Sequence, residues 1–183
     1  MKDGKKEPSL RLFFALWPTE AEREALAEWQ PPLHKLCGGR MMRTETLHAT
    51  LVFLGSVAEH RLEAACQAAQ ETGFGAFKLD LEVAHYWKHN HIVYATPKTV
   101  PQALSGLVDG LERNLRKHRF HFEERPYKPH VTLLRNAQLN DAGLPPLPAV
   151  RWHVNDFALV RSMSDGHGAR YEVLARVPLR ADS

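Results

Sequence analysis

The stretch "LHATLVFLG" (Leu47–Gly55) has its opening repeated later in the chain as "PHVTLLRN" (Pro129–Asn136). Each reads His-x-Thr-Leu and runs on into apolar residues. Each therefore predicts a strand, the first one stopping at Gly55. Alternate residues of a strand share a face. His48 then stands beside Thr50, and His130 beside Thr132, with Ala49 and Val131 pointing the other way. A strand made only for a core has no use for an imidazole and a hydroxyl on one side. A single strand-end histidine of this kind is ordinary. Two of them, each following a helix and a basic connecting segment, predict two related halves.

Outward from these strands, "LRLFFALWP" (10–18) is a short aromatic-rich apolar run ended by Pro18, and predicts a first strand. Thr19 with Glu22 three residues later forms a capping-box signature, predicting a helix over 19–30 that "PPLHKLCGGR" breaks. A second helix is expected over 59–73, with Leu62, Ala65, Ala69 and Thr72 on one face and Gly73 as its stop. One strand over 77–87, a "KHNH" turn and a return strand over 92–97 come next, then a helix over 100–118. After the second histidine strand lies a proline-rich connection over 144–150. Two last strands, "VNDFALVRSM" and "RYEVLARVPL", flank a Gly/Asp/Ser turn. The order β-α-β-α-β-β-α-β-β-β, with strands joined by short turns, reads as α+β with antiparallel pairing.

The totals bound the class. At 183 residues and 44% hydrophobic, the chain has material for one domain with a real core. Residues 1–9, polar and basic, are expected to be a flexible tail, with 10–183 a single domain. No apolar core follows "MKDGKKEPSL" before the first strand, so no signal peptide is expected. No stretch approaches the length of a membrane span. The two cysteines, Cys37 and Cys66, are far apart and in no CxxC arrangement. That pattern argues against a zinc–thiolate site and fits a reducing cytoplasm. "HNH" at 89–91 lies by a predicted turn with no acidic or thiol partner nearby in sequence, and neither it nor "HRFH" at 118–121 is expected to hold a metal. The net charge of +3 is compatible with an anionic ligand and no more than that.

If the halves are related by a pseudo-twofold axis, the two histidine–threonine pairs face one cleft. Two imidazoles and two hydroxyls around a void suit a phosphate. The hydroxyls donate to non-bridging oxygens, one neutral imidazole takes a proton from attacking water, and the other, protonated, gives one to the departing oxygen.

The doubled His-x-Thr-Leu resembles the signature of the two-histidine phosphoesterase superfamily. "RLFFALWP", "LHATLVFLG" and "RPYKPHVTLLR", in this order and spacing, resemble the RNA 2′,3′-cyclic phosphodiesterases once named 2′-5′ RNA ligases. The resemblance runs from about residue 10 to the last strand. It implies two pseudo-symmetric lobes by internal duplication, each an antiparallel sheet flanked by helices, with the active site between them. It implies metal-independent opening of an RNA-terminal 2′,3′-cyclic phosphate to a 2′-phosphomonoester, with no cofactor. His48 would be the general acid, His130 the general base, and Thr50, Thr132 and Arg135 the phosphate-binding groups. The quasi-symmetry leaves the reverse acid–base assignment open. By strand parity Arg135 lies opposite His130 and Thr132, so it reaches the cleft only if the strand ends or bulges there. Tyr127 and Arg125 are candidate RNA or base contacts, packing and solvated charge being their ordinary readings. The expected partner is RNA with a cyclic phosphate end or a small cyclic nucleotide; no membrane or protein partner is expected, and the chain is expected to be a monomer. Competing readings are 2′-5′ RNA ligation or small cyclic-nucleotide hydrolysis at the same site, a nucleotide- or RNA-binding module without turnover, and a metalloprotein using the histidine clusters.

Overall fold

The two histidine strands lie side by side at the middle of one long sheet. The computed structural model describes residues 5–140 and 143–181. Its strands are β1 (Ser9–Leu16), β2 (Arg40–Met41), β3 (Ala49–Ala58), β4 (Phe77–Leu81), β5 (Val83–Trp87), β6 (Ile92–Thr96), β7 (Val131–Arg135), β8 (Val150–Val154), β9 (Asp156–Ser164) and β10 (Ala169–Pro178). Its helices are α1 (Glu20–Ala27), α2 (Gln30–Cys37), α3 (Leu62–Gln70) and α4 (Gln102–Lys117). The sheet runs β10-β9-β1-β3-β7-β6-β5, with β2 also paired to β7, while β4 and β8 form a separate two-stranded sheet. Every ladder between these strands is antiparallel.

One residue pair, Ala49 with Val131, joins the two parts of the long sheet. Beyond it β3 follows β1, from Leu16–Ala49 out to Ser9–Ala58, while β7 continues along β6 and β2. The sheet thus splays from a single contact into two lobes, the α+β bilobal arrangement expected. The lobes exchange strands. Hairpin β5–β6, ahead of α4 in sequence, joins β7, and hairpin β9–β10, near the end of the chain, joins β1. Like pairs with like across the middle, β3 with β7 and β4 with β8.

Helices cover the sheet and close the main core. α4 sets Leu104, Leu107, Val108, Leu111 and Leu115 into it, one stripe of an amphipathic helix. β1 adds Leu12, Phe14 and Leu16 to the same core. The opposite face of β1, Phe13 and Ala15, is buried as well, against Ala158 and Val160. Burial on both sides is why "RLFFAL" shows no alternation. No helix among the described residues is long and apolar enough to cross a membrane.

The structure departs from the sequence expectations at five places. Pro31 and Pro32 do not end a helix; they lie in the first turn of α2, where a missing N–H costs nothing. The single strand expected over 77–87 is two, changing partner at Glu82: β4 pairs with β8 and β5 with β6. The proline-rich connection leads straight into β8, which buries Val150, Trp152 and Val154 in strict alternation; Trp29 Nε1 holds the approach by donating to the Pro148 carbonyl at 2.9 Å. β3 does not stop at Gly55, which has φ +74 and sits at a bulge opposite Leu12. Ser9 already belongs to β1, and the Pro8 carbonyl accepts the Glu59 N–H at 3.0 Å. The first four residues of the expected tail lie outside the described residues. The capping box is present, with Glu22 accepting the Thr19 N–H at 3.0 Å.

Candidate active site

His48 and His130 each stand one residue ahead of their strand. The antiparallel register of Ala49 with Val131, carried one residue either way, sets His48 opposite Thr132 and Thr50 opposite His130. Cross-strand neighbours of this kind lie about 5 Å apart at Cβ. Both histidine–threonine pairs therefore share one small area on one face.

The two rings are held in the same way. His48 Nδ1 donates to the Thr46 carbonyl at 2.7 Å, and His130 Nδ1 donates to the Lys128 carbonyl at 2.8 Å. A carbonyl only accepts, so each neutral ring carries its proton on Nδ1 and leaves Nε2 bare. The Thr50 hydroxyl lies 3.1 Å from His48 Nε2 and donates to it.

Aromatic rings enclose both imidazoles. Trp17 stacks on His48 at 5.5 Å between centroids, with Phe13 at 5.1 Å and the edge of Tyr171 at 5.2 Å. Trp87 and Tyr94 meet His130 edge-on at 4.9 and 5.6 Å. Burial is the main reason His48 is driven down to a pKa of about 4, against the pull of its bond to Thr46. The positive groups His130, Arg23 and Arg135 push in the same direction as burial. His130 is lowered as well, by burial first and then by Arg135.

A bulge in each histidine strand brings a third residue to this face. Against β1, Thr50 pairs with Ala15 but Val52 with Phe14, so β3 skips Leu51. Against β6, Thr132 pairs with Tyr94 but Leu134 with Val93, so β7 skips Leu133. Leu51 and Val52 are consecutively buried, as are Leu133 and Leu134. Parity resets after each bulge. Phe53 and Arg135 then emerge at matching positions, and Arg135 reaches the cleft that plain alternation denies it.

His48, Thr50, His130, Thr132 and Arg135 together line one cavity of about 290 Å³. Arg11, Phe53, Ser162 and Tyr171 join them, with the Arg11 guanidinium 4.9 Å above the Phe53 ring. No carboxylate is among the lining side chains. Phe53 was available to sequence reasoning, because aligning "HATLVF" with "HVTLLR" sets it against Arg135. Arg11, Ser162 and Tyr171 come from β1, β9 and β10 and carry no local signal.

The other two candidates lie elsewhere. Tyr127 packs on the main core and donates its hydroxyl to the Thr50 carbonyl at 3.1 Å, behind β3. Burial pushes its phenol well above the usual range. Arg125 is exposed and pairs with Glu123. Among the described residues, no three His, Cys, Asp or Glu side chains gather as metal ligands would. His118 instead meets the Glu71 carboxylate at 3.2 Å.

The family model described as LigT-like phosphoesterase matches residues 16–94 and again 95–171. The chain belongs to the LigT-like phosphoesterase family. Its similarity to named members covers nearly its full length. It is 30% identical to the RNA 2′,3′-cyclic phosphodiesterase of Escherichia coli K12, over 91% of this chain and 94% of that protein. It is 30% identical to the Thermus thermophilus protein of the same name, over 94% of this chain and 92% of that one. Among solved structures, E. coli LigT without ligand superposes with a TM-score of 0.85 at 29% identity, covering 96% of this chain and 99% of LigT. LigT complexed with 3′-AMP gives 0.83 at the same identity, covering 94% and 99%. The two matches of the family model fall on the two segments that each carry one His-x-Thr strand.

Proposed function

We propose that this LigT-like phosphoesterase hydrolyses the 2′,3′-cyclic phosphate at an RNA end to a 2′-phosphomonoester, by acid–base catalysis between His48 and His130. One observation carries the reading: two Nδ1-anchored imidazoles on adjacent strands open into a single cavity that no carboxylate lines. The activity named for the relatives supports the choice of substrate. Water attacks phosphorus as His130 Nε2 accepts its proton. The P–O3′ bond breaks, and the 3′-oxygen takes a proton from His48 Nε2. The Thr50 and Thr132 hydroxyls and the Arg135 guanidinium hold the non-bridging oxygens. Each positioned proton transfer is worth roughly 10²–10⁴-fold.

In the free protein both imidazoles are neutral near pH 7, since both are pushed below their ordinary value. An anionic phosphate in the cavity counters the positive charge of Arg135 and favours the imidazolium. The acid form of His48 is thus created by substrate binding. Both proton transfers have a resident side chain, so no step calls for a metal ion. The two cysteines are unpaired, which fits action in a reducing cytoplasm.

The test is incubation of an oligoribonucleotide ending in a 2′,3′-cyclic phosphate with wild type, His48→Ala and His130→Ala, in EDTA, with the product read by phosphorus NMR. A 2′-phosphate from wild type, lost in both variants, is the expected result. A 3′-phosphate, turnover surviving in both variants, or turnover abolished by EDTA would overturn the proposal.

A further inference from the structure

Beside the catalytic cavity lies a second one of about 350 Å³. It runs between β2 and the turn joining β9 to β10, and shares Met42, Thr46, Arg135 and Tyr171 with the first. Its remaining nitrogen-bearing side chains are Arg40, Arg43 and His167, with no carboxylate among the lining residues. Arg43 is partly committed, donating to the Ala169 carbonyl at 2.6 Å and lying 3.9 Å from Glu45. Arg40 and Arg135 make no ion pair among the described residues, and both are exposed. Guanidinium groups converging on a groove without acids suit a phosphate, whose oxygens they bind in pairs. Arg135 belongs to both cavities, so an anion in the second is close to the reacting phosphate. Tyr171 also borders both and offers a ring face at the junction.

We propose that this groove binds the phosphodiester immediately 5′ of the terminal nucleotide. The inference rests on the cyclic-phosphate reading of the catalytic cavity and extends it to a neighbouring phosphate subsite. Arg40, at the groove's outer wall, is the residue to remove.

Two measurements test it. In the first, kcat/KM is compared for a tetranucleotide ending in a 2′,3′-cyclic phosphate and for a mononucleoside 2′,3′-cyclic phosphate. Wild type should prefer the tetranucleotide, and Arg40→Gln should lower that preference about tenfold. Arg113→Gln, an equal loss of charge on the exposed side of α4, should leave the preference as it is. In the second, binding of a tetranucleotide ending in a 2′-phosphate is followed by fluorescence anisotropy against salt. Arg40→Gln should weaken binding and flatten the log–log salt slope by about 0.7, one phosphate contact on a single strand. No preference in wild type, or a preference and salt slope unchanged in Arg40→Gln, overturns the groove. Absence of turnover on either substrate overturns the catalytic reading instead, and the binding arm then decides the groove alone.

Discussion

Replacing Trp17 by alanine should raise the pKa of His48 by at least about one unit. The indole stacks on the imidazole, and burial is the first cause of the fall from 6.5 to about 4. At 1.36 kcal/mol per unit, the whole depression corresponds to about 3 kcal/mol, which is the ceiling for any substitution around the ring. Phe13 and Tyr171 remain in the variant, and Arg23, His130 and Arg135 still repel the charge. The expected rise is therefore a fraction of the full 2.5 units between those values. The assay is a pH titration of the His48 Cε1–Hε1 signal by NMR, assigned with His48→Gln. A wild-type midpoint at 6 or above would refute the argument, as would an unmoved midpoint in Trp17→Ala. The same depression has a consequence for stability. The unfolded chain takes up this proton near 6.5 and the folded chain only near 4, so stability falls as the pH drops through that window. His48→Gln should flatten the pH dependence of urea unfolding between those values by up to about 3 kcal/mol.

Other outcomes follow from contacts around the site. Gly39 has φ +81, and a Cβ there would lie 2.4 Å from the Arg135 carbonyl oxygen. Gly39→Ala should cost about 2 kcal/mol or more in denaturant unfolding and raise KM through a displaced Arg135. Thr50→Val keeps the volume but loses the hydroxyl on His48 Nε2; turnover should fall about tenfold with circular dichroism unchanged. Gly110→Ala would ordinarily stabilise a helix by about 1 kcal/mol. Here its Cβ would meet the Phe74 ring at 2.7 Å, so the melting temperature should drop, and a Phe74→Ala background should restore the gain.

The repeated His-x-Thr was legible because strand parity is a local rule: whatever the fold, His48 shares a face with Thr50. The bulges were not, since a skipped residue is defined only against a partner strand, and the strands β1 and β6 against which Leu51 and Leu133 are skipped lie far off in sequence. A trace of them is present in hindsight, in the paired apolar residues Leu51–Val52 and Leu133–Leu134 that interrupt alternation. The break at Glu82 was hidden because alternation continues through it while the partner strand changes. Prolines marked two boundaries wrongly for one reason: they forbid a helix interior or a central strand, but not a first helical turn or the approach to an edge. Nothing in the sequence marks Trp17 as part of the site, because its stack on His48 exists only once Leu16 pairs with Ala49.

A site built twice from one pattern must still distinguish its two proton carriers, because acid and base cannot be the same in one step. The backbone does not make the difference: both rings bond the carbonyl two residues back, and both strands bulge after the threonine. The matched positions after the bulge do differ, with Phe53 in one lobe and Arg135 in the other. So do the enclosures, a stacked indole on His48 and edge-on rings on His130. His48 therefore has the more dehydrated ring, the stronger acid once protonated and the readier to release its proton to a departing oxygen. In the proposed mechanism His130, whose ring is met only edge-on, is the acceptor from water. If this division is right, exchanging Phe53 and Arg135 in a double variant should lower kcat more than it weakens binding. The rate-limiting pKa values of the kcat profile should move further apart, because the guanidinium that lowers His130 would then stand on the strand of His48. Unchanged kcat limbs in the exchanged variant would place the asymmetry elsewhere, in the aromatic enclosures alone.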